Sequence, residues 1–130
     1  MPEAIILACF VTIFMWMPAL MAAVRTRGMA SVLAGNPKTD TTEIPAWARR
    51  LNQAHQNAVE NLPAFIGVCV AAVLADAVTP ETIFAAFLYS YARIAHAVFY
   101  IFSVFFVRTT SFMISWAAII YIGLVVLGKL

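Results

Sequence analysis

Residues 4–24, AIILACFVTIFMWMPALMAAV, form an uninterrupted apolar stretch without a charged side chain. A transmembrane helix needs about 20 apolar residues to cross the hydrocarbon core of a bilayer. The stretch is continuous rather than alternating, and in lipid only helices and closed barrels satisfy the backbone hydrogen bonds. Residues 4–24 therefore predict a membrane-spanning helix and favour an all-α fold.

Three more apolar stretches follow, and together they predict a single domain over residues 1–130. The predicted helices cover about residues 4–26, 45–77, 80–107 and 110–128. The hydrophobic fraction of the chain is 64% and the charged fraction is 11%. A soluble domain of this size has too little interior to bury so much apolar surface. The predicted fold class is an all-α integral membrane protein with a four-helix transmembrane bundle.

The helix ends carry recognisable signals. Thr79 is predicted to cap the third helix, with Pro80 at its first position and Glu81 near the positive end of the helix dipole. Residues 109–111, Thr-Thr-Ser, are predicted to cap the fourth helix. Pro63 lies inside the second helix, where neighbouring helices can tolerate a kink.

The connections predict topology and orientation. One long loop is expected at about residues 27–44, whereas the other connections are short and predict antiparallel neighbours. Basic residues flank the first and third loops, and the second loop has none. By the positive-inside rule the first and third loops face the cytoplasm, and both termini face the other side. The basic residues are Arg25, Arg27, Lys38, Arg49, Arg50 and Arg108.

Charge and cysteine content exclude several classes of function. A net charge of +2 gives no indication of a nucleic-acid partner. Cys9 and Cys69 both lie inside apolar stretches, and no Cys-x-x-Cys motif occurs. Neither a metal site nor a disulfide framework is predicted.

Two stripes of polar side chains interrupt the apolar pattern at helical spacing. Because charges in the hydrocarbon are costly, each stripe is either a functional site or a set of contacts that hold the helices together. We expect the stripes to face each other, with Glu60 approaching Arg93. The second helix carries Arg49, Gln53, Asn57 and Glu60, and the third carries Tyr89, Arg93, His96 and Tyr100.

The stripes contain motifs that resemble the MAPEG family, the membrane-associated proteins of eicosanoid and glutathione metabolism. Residues 49–63, RRLNQAHQNAVENLP, resemble the family signature. The spacing Arg93-x-x-His96-x-x-x-Tyr100, followed by Arg108-Thr109, is similar to its third-helix motif. Residues 24–27, VRTR, resemble the basic end of its first helix. The chain is identified as a bacterial-type member similar to microsomal glutathione transferase.

The resemblance implies a homotrimer that binds glutathione between subunits, near the cytoplasmic side of the bilayer. The implied activity is addition of the glutathione thiolate to a lipophilic electrophile, or reduction of a hydroperoxide. Arg108 is the implied thiolate-activating residue, with Tyr100 as a second donor. The implied glutathione-binding residues are Arg25, Arg49, Gln53, Asn57, Glu60, Arg93, His96 and Thr109.

Some alternatives stay open at the level of sequence. The family usually has arginine where this chain has Gln53, and Arg49 or Arg50 is a candidate substitute. His96 is expected either to contact the ligand or to brace the helices. The rival functions are a non-catalytic membrane protein with the same fold and a small transporter component.

Overall fold

The computed structural model describes residues 1–34, 43–128 and 130, and helices occupy most of this part of the chain. The predicted loop residues 35–42 lie outside the described part, as does residue 129. No strand occurs among the described residues. In chain order the helices are α1 (Pro2–Met15), α2 (Met17–Arg27), α3 (Met29–Leu33), α4 (Ala46–Leu74), α5 (Pro80–Ile101) and α6 (Phe105–Val126).

Within the described residues, 4 helical segments are long and apolar enough to cross a membrane. The first is Pro2–Arg27, which combines α1 and α2, and the others are α4, α5 and α6. The boundary between α1 and α2 lies at Trp16, close to Pro18, which has no N–H to donate within the helix. The prediction of an all-α, four-helix integral membrane fold is confirmed. The short helix α3 occupies the start of the segment that was predicted to be a loop.

The beginning of α5 has the predicted cap. Thr79 accepts a hydrogen bond from the Thr82 N–H at 3.3 Å, and the Thr79 N–H donates to Thr82 Oγ1 at 2.8 Å. Pro80 follows in the first turn of the helix. This reciprocal pair satisfies N–H groups that a helix start leaves without intrahelical partners.

The turn between α5 and α6 lies earlier than the sequence suggested. α5 ends at Ile101 and α6 begins at Phe105, so Arg108 belongs to the first turns of α6. The predicted cap at residues 109–111 is wrong, because these hydroxyls bond inside the helix. Each donates to a carbonyl four residues earlier, at 3.0, 2.9 and 2.7 Å: Thr109 to Phe105, Thr110 to Phe106 and Ser111 to Val107.

Small residues let the helices approach closely. Ser90 of α5 donates to the Ala4 carbonyl of α1 at 3.0 Å, and Phe65 of α4 stacks on Tyr89 with ring centroids 3.9 Å apart. A second buried cluster joins α1, α2, α4 and α5: Met15, Ala19, Ala22, Ala48, Leu51, Ala54, Ala58 and Ala97. Close backbone approach through small side chains is typical of helix packing in membranes. The packing aligns the polar residues of α5 with the early turns of α4 and α6.

Candidate functional site

The polar side chains of α5 point into the bundle. Arg93 is 2% exposed, and its Nη2 donates to Asn57 Oδ1 of α4 at 2.8 Å. Its Nε and Nη1 atoms meet no hydrogen-bond acceptor among the described residues. The Arg93 Cζ lies 6.0 Å from the centroid of the Phe112 ring. A buried guanidinium with one neutral acceptor is costly, which is typical of a position kept for function in a membrane.

The expected approach of Glu60 to Arg93 is wrong. No ion pair joins them within the described part of the chain, and the exposed Glu60 accepts a hydrogen bond from Gln56 at 3.3 Å. Successive helical residues are about 100° apart, so Glu60 lies about 200° around α4 from the buried Ala58. Asn57, at the edge of the buried side, is the α4 residue that reaches Arg93 instead.

The polar stripe of α4 therefore turns outward. We call its exposed residues the α4 outer face: Asn52, Gln53, Gln56 and Glu60. All lie within the membrane-spanning segment Ala46–Leu74. Lipid tails offer no hydrogen-bond partners to such groups. The outer face is therefore suited to water or to another protein surface rather than to lipid tails. Because the 29 residues of α4 exceed the length needed to cross the hydrocarbon core, its first turns can lie at the membrane surface.

A second group of predicted residues meets where α5 ends and α6 begins. The Arg108 Cζ lies 4.6 Å from the centroid of the Tyr100 ring and 5.3 Å from that of Phe105. We call Tyr100 and Arg108 together the Tyr100–Arg108 pair. His96, 5% exposed, contacts Tyr100 edge-on with ring centroids 5.4 Å apart. Its Nδ1 lies 2.9 Å from the Arg108 carbonyl oxygen.

Two of the predicted binding residues line a cleft between α2 and α4. The cleft has a volume of about 440 Å³, which falls within the range of small-molecule sites. Arg49 lies in its wall, and the Arg49 Nη1 donates to the Ile44 carbonyl at 2.7 Å. The lining residues are Trp16, Ala19, Leu20, Ala23, Ile44, Ala48, Arg49, Asn52 and Gln53.

The remaining predicted residues lie apart from these groups. Arg25 is exposed in the last turn of α2, and the exposed Thr109 uses its hydroxyl inside α6. The prediction also missed two contacts. Arg50 Nε donates to the Ile101 carbonyl at 2.8 Å, and Phe112 packs against His96 with ring centroids 5.9 Å apart. Spacing alone does not distinguish Arg50 from its neighbour Arg49, and Phe112 resembles any other apolar residue of α6.

The family model described as the MAPEG family matches residues 4–128. The chain belongs to the MAPEG family. The matched region includes the inward stripe of α5, the α4 outer face and the Tyr100–Arg108 pair, so all three are parts of a MAPEG domain. The MAPEG family is associated with glutathione and eicosanoid metabolism in membranes. No curated protein and no solved structure matches the chain in the corresponding comparisons.

Proposed function

We propose that this MAPEG protein binds glutathione and activates its thiol against a lipophilic electrophile or hydroperoxide. The observation that carries the proposal is the convergence of two cations on one half of α5. Arg93 is buried with unused donors, and Arg108 lies against Tyr100 two turns further along. A bundle that needed these residues only for packing would gain nothing from unsatisfied guanidinium donors.

The residue types suit glutathione, which carries two carboxylates, a peptide backbone and an amino group. Arginine binds carboxylates through paired, charge-assisted hydrogen bonds. We assign Arg25, Arg49 and Arg93 to that role, with Gln53 as a neutral donor. The Thr109 hydroxyl, which donates to the Phe105 carbonyl, can only accept a further hydrogen bond. Asn57 serves the peptide part, and the exposed Glu60 carboxylate receives the amino group.

Thiolate formation is the step that needs a cation. A free thiol has a pKa of about 8.5, and only the thiolate is a good nucleophile. Lowering that pKa by about two requires about 2.7 kcal/mol of differential stabilisation. We assign this role to the Arg108 guanidinium, with the Tyr100 hydroxyl as second donor. The thiol proton leaves to solvent, and the sulfur lone pair forms the new bond to the electrophile.

The α4 outer face supports a homotrimer with the site between subunits. Exposed Gln53, Gln56 and Glu60 are unsuited to lipid, and a neighbouring subunit or ligand would cover them. The basic ends of α2 and α4 assign that end of the bundle to the cytoplasm, which leaves both termini on the other side. The apolar second substrate then arrives through the bilayer. Mass measurement of the detergent-purified protein tests the trimer.

Conjugation of a chlorinated nitrobenzene tests the catalytic assignment. The sulfur–carbon bond forms as chloride leaves with its electron pair. Detergent-purified protein is expected to catalyse this reaction, and Arg108→Ala to lower the rate about 25-fold at neutral pH, as the thiolate fraction falls when the pKa returns from about 6.5 to about 8.5. Arg27→Ala is the matched control, because it removes an arginine whose Nε lies 3.8 Å from a Glu43 oxygen. Activity that survives Arg108→Ala unchanged contradicts the assignment.

A non-catalytic MAPEG protein is the alternative, and one observation favours it. Gln53 stands where the family usually has arginine, and Arg50, a candidate substitute, is bonded to the Ile101 carbonyl. Thermal unfolding with and without glutathione separates the cases. A ligand present at a hundredfold excess over its Kd stabilises the folded state by about 2.7 kcal/mol. Stabilisation without turnover supports the alternative, and no stabilisation contradicts glutathione binding altogether.

A further inference from the structure

The turn that joins α5 to α6 adopts a conformation that its own residues do not favour. It consists of residues 102–104, and Ser103 has φ 60°, in the left-handed region that favours glycine. The Ser103 and Val104 N–H groups donate to the carbonyls of Tyr100 and Phe99, at 3.1 and 3.0 Å. These two bonds are local to the helix end, and contacts from outside the turn add to them.

Two side chains bond the backbone on either side of this turn. Arg50 Nε of α4 donates to the Ile101 carbonyl at 2.8 Å, at the last residue of α5. Carbonyls at a helix end have no intrahelical partner, and a cation there is favoured by the helix dipole. His96 Nδ1 lies 2.9 Å from the Arg108 carbonyl, on the α6 side. A carbonyl only accepts, so Nδ1 carries the proton and donates.

The Tyr100–Arg108 pair lies between these two bonds. Tyr100 directly precedes Ile101, and the Arg108 carbonyl is itself the acceptor from His96. The His96 ring also packs edge-on against Tyr100. His96 thus contacts both members of the pair while remaining 5% exposed. Its Nδ1 is bonded to the Arg108 carbonyl, and its buried Nε2 has no hydrogen-bond partner among the described residues.

We infer that His96 and Arg50 are positioning residues that hold the Tyr100–Arg108 pair through the backbone of the α5–α6 turn. The inference rests on the proposed function for its effect on catalysis. It decides between the two expectations for His96 in favour of bracing. Arg50 then has a structural role, and it does not replace the glutathione-binding arginine that the family usually has at the position of Gln53. Displacing either bond moves the Arg108 guanidinium away from a bound thiol and raises the thiol pKa.

Two substitutions at His96, each of which replaces one ring nitrogen by an amide nitrogen, separate bracing from ligand contact. Asparagine carries its amide nitrogen about where Nδ1 lies, whereas glutamine carries it about where Nε2 lies. His96→Asn is expected to keep the wild-type pH profile of kcat. His96→Gln is expected to move its inflection up by about one pH unit, which lowers kcat about threefold at neutral pH and about tenfold at pH values well below the wild-type inflection. The KM for glutathione is expected to change little in both variants.

The opposite ranking overturns the inference. If His96 contacts glutathione through Nε2, His96→Gln retains function while His96→Asn raises KM. Equal, unchanged profiles for both variants also overturn it. Arg50 supplies an independent arm, since Arg50→Ala is expected to shift the profile as His96→Gln does, with partial rescue by Arg50→Lys. The double variant should be less than additive, because both bonds hold the same turn.

Backbone amide exchange tests the brace without any turnover. The amides of residues 102–108 in detergent-solubilised protein should exchange about five- to tenfold faster in His96→Gln and Arg50→Ala than in wild type. His96→Asn should exchange like wild type. Equal exchange in all four proteins overturns the brace. A wild-type protein that shows the expected exchange but no conjugation contradicts the proposed function alone.

Discussion

The stripes of α4 and α5 are both made of polar residues at helical spacing, yet most of their side chains face different surroundings. On α5, Arg93 and His96 are buried against neighbouring helices. On α4, Gln53 and Glu60 are exposed on the outside of the bundle. The difference teaches that helical periodicity identifies a polar face but not the surface it meets. The inward stripe meets other helices of its own chain, whereas the outward stripe is open to water, lipid or another subunit.

The largest expected effect comes from placing a charge on the two sides of α4. Ala58 is 1% exposed and faces inward, whereas Gln53 is exposed on the outer face. Ala58→Glu is expected to cost several kcal/mol and to abolish folded protein, because a buried carboxylate lacks a partner there. Gln53→Glu, at a position that is already polar and exposed, is the matched control and should retain a cooperative thermal transition. Equal yields of folded protein from the two variants would contradict the assignment of the faces.

The Asn57–Arg93 contact gives the next largest effect. Arg93→Met is expected to lower the free energy of unfolding by about 1–3 kcal/mol, because Asn57 loses its donor. Asn57→Leu in addition should recover most of that loss, since a well-packed apolar pair can replace a buried polar one. Thermal unfolding of the two single variants and the double variant checks this. A double variant less stable than Arg93→Met would show that the Asn57 side chain has structural partners besides Arg93.

The α4 outer face predicts a gain of function. Gln53→Arg restores the arginine usual in the family at a position that is exposed and lines the α2–α4 cleft. A charge-assisted hydrogen bond to a glutathione carboxylate should lower the Kd about tenfold. Calorimetric titration measures this, with Gln53→Lys expected to give less because an ammonium cannot bind bidentately. An unchanged Kd would place glutathione away from this part of the outer face.

Thr109 should show the smallest effect. Its hydroxyl already donates to the Phe105 carbonyl inside α6. Thr109→Val keeps the shape and is expected to change the Kd for glutathione less than about threefold. A larger loss in the same titration would restore Thr109 to the ligand contacts that the resemblance implied.

The fold was predictable from sequence because its determinants are local. Continuous apolar stretches give membrane helices, and the Thr79 cap follows from a short motif. The α5–α6 turn was not predictable. Apolar residues surround it, and Ser103 adopts a left-handed conformation that its residue type does not signal.

Several of the predicted site residues contact one another in the structure, but the individual contacts were not predictable from sequence. Spacing and the MAPEG resemblance identified Asn57, Arg93, His96, Tyr100 and Arg108. They also predicted that Glu60 would approach Arg93. The rotation of α4 decides which of its residues reaches Arg93, and that rotation depends on alanine packing along the whole inner side of α4. The contact of Arg50 was not predicted, because its partner is a backbone carbonyl 51 residues away and no side-chain pattern encodes such a bond.

The ionisation of bound glutathione tests the central claim most directly. The ultraviolet absorbance of the thiolate can be followed as glutathione is added to detergent-purified protein over a range of pH. The account predicts that bound glutathione ionises with a pKa about two units below the value of about 8.5 for a free thiol. A thiolate signal should therefore be present at neutral pH and be lost in Arg108→Ala. Bound glutathione that ionises only near its free pKa, or equally in Arg108→Ala, would contradict the account.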